Sequence, residues 1–159
     1  MTTFSRRPLL LAPVLLLSSC SLLPGKDRKG TGKTTKDIDK AAQTDPEPVL
    51  SRTAGIPAAS EFLWWSGTMG GGAPGPSAYW VDAFVNVDEQ QTAQWRELCD
   101  PEADAAAPEV VEDLTAELPV DDYTECPELA SQLSDGAWKC RVWLSRTHPS
   151  IVLALVGEG

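Results

Sequence analysis

Two-residue alternation limits the architecture of this chain more than any other feature. From Tyr79 to Val87, Tyr79, Val81, Ala83, Val85 and Val87 fall on one side, while Trp80, Asp82, Phe84 and Asn86 fall on the other. That is the period of a strand. Trp138 to Ser145 repeats it, with Trp138, Cys140, Val142 and Leu144 alternating with Lys139, Arg141 and Trp143. Ile151 to Val156 is apolar on both sides and predicts a buried strand. Glu61 to Thr68 is short and aromatic and runs into a Gly/Pro-rich connector over 69–77, which adds a further strand.

Between the two strand pairs the pattern becomes helical. Asp88 followed by Gln91 approximates a capping box, and Trp95, Leu98 and Cys99 form the apolar stripe of the helix it opens. Pro108 opens a second amphipathic segment with Val111, Leu114 and Leu118 on one face, stopped by Pro119. A further turn of helix fits 127–133, and Asp135-Gly136 signals a turn before the next strand. The order ββααββ predicts an α+β domain: an antiparallel sheet of about four strands with two helices packed on one face. The rival arrangement is an NTF2-like or cystatin-like cone with a helix across 78–99. The β-branched and aromatic residues clustered at 79–87 favour the strand.

The first 20 residues have a different logic. Arg6 and Arg7 precede an apolar run from Pro8 to Leu17, then Ser18 and Ser19 lead to Cys20, the three-part plan of an export signal. The run is about half the length that a membrane-spanning helix needs. Leu17-Ser18-Ser19-Cys20 resembles a bacterial lipobox, which implies a diacylglyceryl group on the Cys20 thiol and cleavage just before it. Ser5-Arg6-Arg7-Pro8-Leu9-Leu10 resembles a twin-arginine export motif, with a general secretory signal as the alternative. A composition rich in Ala, Pro and Asp behind this leader is similar to that of actinobacterial lipoproteins. The resemblance implies a lipid-anchored, extracytoplasmic place at the cell membrane and specifies no ligand. Two or more acyl chains give stable attachment.

From Ser21 to Ala54 no apolar period is sustained and Gly, Thr, Lys, Asp and Pro dominate, which predicts a disordered tether. The expected division is a signal peptide over 1–19, a lipidated cysteine and tether over 20–54, and the small domain over 55–159. Gly30-Thr31-Gly32-Lys33-Thr34 ends like a phosphate-binding loop, but Asp27 stands where the first glycine is required.

Chemistry-bearing residues are sparse. Of 159 residues, roughly 100 remain for the domain, enough for a core with little room for an elaborate active site. The single histidine, His148, sits in a predicted turn before Pro149. No catalytic residue is expected, and no metal or cofactor: Cys99, Cys126 and Cys140 lack zinc spacing. Asp100, Glu102 and Asp104 start like a calcium loop, but Ala105 and Val111 replace its glycine and its closing glutamate. The formal charge is −10, and from Asp82 to Glu128 fifteen acids face one base, Arg96. Nucleic-acid binding is disfavoured by repulsion.

With Cys20 lipidated, three cysteines permit one internal disulfide. Cys126–Cys140 is the expected pair, because the intervening chain is short and contains a turn signal, with Cys99–Cys126 next. Six tryptophans are available for core or recognition. If helices cover the Val81 face, Trp80, Asp82, Asn86, Lys139, Arg141 and Trp143 share the opposite one. Such an aromatic, mixed-charge face suits an envelope protein or a glycan. The alternative places the acid and bases in cross-strand pairs under the indoles. The expected function is a non-catalytic binding or accessory module, with an assembly factor of an envelope or secretion complex as the alternative and a hydrolase behind both.

Overall fold

The computed structural model describes residues 36–70 and 78–158. Cys20, the leader and residues 21–35 of the expected tether lie outside the described residues. In chain order the described elements are β1 (Lys36–Gln43), α1 (Glu47–Leu50), β2 (Glu61–Met69), β3 (Ala78–Asn86), α2 (Glu89–Arg96), α3 (Glu112–Glu117), β4 (Tyr123–Glu125), α4 (Pro127–Leu133), β5 (Trp138–Ser145) and β6 (Ser150–Glu158). The fold is α+β, with one antiparallel sheet in the order β1-β2-β3-β6-β5-β4.

The expectation of four strands in the order ββααββ is corrected to six among the described residues. The four strands with apolar alternation are present, β5 over the expected span and the others within about two residues at either end. The two additional strands are both edges. β1, Lys-Asp-Ile-Asp-Lys-Ala-Ala-Gln, is exposed along nearly its whole length, so nothing selects apolar residues there. Its charges blunt an edge that would otherwise invite pairing. β4 has three residues, too few to show a period. The cone with a helix across 78–99 is overturned, since 78–86 is strand and the helix is confined to Glu89–Arg96.

The tether is corrected as well, because 36–54 belongs to the fold. β1 pairs with β2, Val49 of α1 is fully buried, and Thr53 bridges to Ser134. Backbone pairing needs no apolar side chain, so composition alone missed it. β1 passes so close to β2 that a Cβ on Gly67 would come within 1.7 Å of the Asp37 carbonyl oxygen, and only glycine fits.

Helices cover both faces of the sheet. On one face α1, α2 and α4 bring Val49, Trp95, Leu129 and Leu133 against Val81, Ala83, Val85, Val142, Leu153 and Leu155. On the other, the segment from Ala106 through α3 brings Val110, Val111 and Leu114 against Trp65, Trp80, Trp143, Val152 and Ala154. Asp88 caps α2 by accepting the Gln91 N–H at 2.7 Å, as the sequence predicts. No helix among the described residues is long and apolar enough to cross a membrane.

Candidate functional site

Parity brings the expected recognition residues to one face. Across β3, β6 and β5, Trp80, Val156 and Lys139 form one row, Asp82, Ala154 and Arg141 the next, and Phe84, Val152 and Trp143 a third. The face is nevertheless not a surface. Trp80, Asp82 and Trp143 have no exposure at all, because α3, the segment before it and Tyr123 lie over them. Asn86 sits partly buried at the end of its strand, 3.5 Å from the Glu61 carboxylate, and Lys139 alone of the set is exposed. The expected binding face is therefore a second core layer. The sequence signal was the apolar content of the 106–118 segment, which reaches further along the sheet than one helical stripe.

This layer is wired by charge. Lys36 Nζ donates to both carboxylate oxygens of Asp82 at 2.6 Å, and the Val111 N–H donates to one of them at 2.7 Å. Burial pushes the Asp82 carboxyl above its usual range, with Lys36 and the Val111 N–H working in the opposite direction. Arg141 forks onto Glu125 through Nε at 2.8 Å and Nη2 at 3.0 Å, and also bonds Glu109. Its guanidinium carbon lies 4.6 Å from the Trp143 ring centre. The Glu125 hydrogen bonds raise Arg141, and Arg141 in turn lowers Glu125. The alternative reading, Asp82 paired across the strands with Lys139 or Arg141, is corrected too: Asp82 takes Lys36 from the edge strand, and Arg141 takes Glu125 and Glu109 from outside its own sheet row.

The cysteine pairing is corrected. The disulfide joins Cys99 to Cys126, while Cys140 is a free, partly buried thiol. Cys140 sits on β5, whereas Cys126 is aligned with Val142, two residues further along, and donates its N–H to the Val142 carbonyl. The chain after α2 instead carries Cys99 up to the β4–α4 junction. Burial pushes the Cys140 thiol up to about 12.

His148 is less isolated than its turn position suggests. Its Nδ1 lies 3.2 Å from Asp121, whose side chain is 2% exposed. Ser145 Oγ donates to the same Asp121 oxygen, and Thr147 Oγ1 donates to the other at 2.9 Å. Burial works against the Asp121 charge, but the hydrogen bonds from Ser145, His148 and Thr147 outweigh it and hold the carboxyl well below the usual range. Serine, histidine and aspartate are thus together, yet not as a nucleophilic triad. Both hydroxyls bond to the carboxylate, and none among the described residues bonds Nε2. The arrangement ties the β5–β6 turn to the chain before β4.

The accessible aromatic site lies at the other face. Tyr79 and Trp138 flank Gly157 in one row across β3, β6 and β5. Tyr79 is 47% exposed. The Trp138 indole lies over Gly157, where a Cβ would meet it at 2.7 Å, and the Arg52 guanidinium carbon sits 4.8 Å from its ring centre. With Asp39, Lys40 and Glu47, these side chains bound a cleft of about 450 Å³ between α1 and the end of the sheet. Sequence reasoning read Tyr79 and Trp138 as members of the core face; Trp138 does pack against that core, partly buried, while Tyr79 is exposed. No protein-family model, curated protein or solved structure matches the chain.

Proposed function

We propose that the protein is a non-catalytic binding or accessory module, held at the extracytoplasmic face of the cell membrane by lipid on Cys20. The observation that carries this reading is the Cys99–Cys126 disulfide. Disulfides persist in oxidising compartments and are rare in reducing ones, so a disulfide in the domain agrees with the export signal read at 1–19. The geometry around His148 supports a positioning role over acid–base chemistry, since its nearest hydroxyls are committed to Asp121. The cleft at Tyr79 and Trp138 offers such a module a place to hold a ligand.

Cys20→Ala tests the reading. The variant is expected to leave the membrane pellet or to accumulate as unprocessed precursor, as read by fractionation and intact mass. Membrane retention at the wild-type level with a normal mature mass would overturn it.

A further inference from the structure

We infer that the cleft between α1 and the Tyr79/Trp138 end of the sheet binds a neutral glycan of two or more linked pyranose rings. The inference rests on the binding-module reading and names the ligand class of its site.

Two aromatic side chains mark the cleft, and the spacing of their backbones is set by the sheet. Tyr79 and Trp138 each pair with Gly157 from opposite sides, so their backbones are two inter-strand spacings apart, about 10 Å. Gly157 places no side chain of its own between them, and the Trp138 indole leans over it on the Tyr79 side. A linked pair of pyranose rings can lay one apolar C–H face on each aromatic ring, where a single ring reaches only one. Tyr79 is already half exposed. Trp138 is covered by the stacked Arg52 guanidinium, a contact that a sugar ring can replace. Arg52 Nε is buried without a hydrogen-bond partner among the described residues, so an acceptor oxygen reached by a swing of this side chain would satisfy it.

The polar rim points the same way. Asp39 and Glu47 supply two acids, and Lys40 and Arg52 two bases, so the charged lining balances. A balanced rim gives no advantage to an anion or a cation, while its donors and acceptors match a ring of hydroxyl groups. An extended peptide is less suited, because strand addition needs a free sheet edge. The cleft floor is a sheet face, and the free edge beside it, β1, carries Lys36, Asp37, Asp39 and Lys40, charges that discourage strand addition.

The test is titration of the full mature protein in detergent with chitotetraose and cellotetraose, followed by tryptophan fluorescence and calorimetry. At least one tetrasaccharide is expected to bind saturably, and tighter than its monosaccharide by about tenfold or more. Tyr79→Ala should weaken that binding by about tenfold, and Tyr79→Phe should retain it. If Tyr79→Ala lowers the unfolding midpoint, Asp39→Ala on the exposed β1 replaces it, with an expected weakening of about threefold. No saturable response to either sugar, or undiminished affinity in the variants, overturns the inference. Neither result bears on the Cys20→Ala fractionation, so failure of the glycan site and failure of the anchored-module reading are separate outcomes.

Discussion

Lys36 Nζ lies 2.6 Å from both carboxylate oxygens of Asp82, a side chain with no exposed surface, and so an edge strand reaches into the middle of the sheet. Lys36 itself is 19% exposed. Removing it leaves a buried carboxylate with one backbone N–H for company. Lys36→Met should cost about 3 kcal/mol, toward the low end for a broken buried pair because the lysine keeps some contact with water. Lys36→Met/Asp82→Leu should recover part of that loss, since it removes the orphaned charge. Urea unfolding measures both, and a Lys36→Met cost within about 0.5 kcal/mol of zero, the range of ordinary surface changes, would show that the pair holds nothing.

Asp121 sets an acid limit. Its carboxyl is depressed in the folded protein, so the unfolded chain binds a proton first as pH falls. The contribution is present above the ordinary carboxylate value of about 3.9 and is lost progressively below it. Asp121→Asn should therefore be less stable than wild type at neutral pH, with the gap narrowing as pH falls below about 4. Urea midpoints across pH 3 to 7 give the answer, and a constant gap would count against the hydrogen-bonded carboxylate as its source.

The disulfide closes a loop with a sequence separation of 27. In the chain-entropy model it contributes about 3.5 kcal/mol. Cys99→Ala/Cys126→Ala should lose about that amount, while non-reducing peptide mapping of the wild type should link Cys99 to Cys126. Cys140 should react slowly with alkylating reagent in the folded state and readily after unfolding, because burial holds it as the thiol. Recovery of a Cys126–Cys140 peptide would contradict the pairing.

Trp143 distinguishes a core layer from a surface. With no exposure beneath the 106–118 segment, Trp143→Ala should cost about 3–5 kcal/mol, the range of buried aromatic truncation. A loss below about 1 kcal/mol would return it to the surface.

The sequence was informative where burial imposes a period. Val81, Ala83 and Val85 on β3 and Val142 and Leu144 on β5 are buried together as their alternation requires, and Asp88 caps α2. It was silent where the backbone alone makes the contact. β1 presents exposed side chains, and β4 is shorter than any detectable period. The aromatic residues were legible as a set but not by layer: Trp80 and Trp143 look suited to recognition until α3 is placed over them, and Tyr79 looks buried by its alternation but is exposed. The disulfide depended on a long-range path that spacing along the chain does not encode.

β6 comes last among the strands in chain order yet lies between β3 and β5. While the polypeptide is being made, β1-β2-β3 and β5-β4 exist only as separate fragments with no seam between them. The sheet cannot close until Ser150–Glu158 has left the ribosome, so the strand that joins its two halves is the last of the described strands to appear.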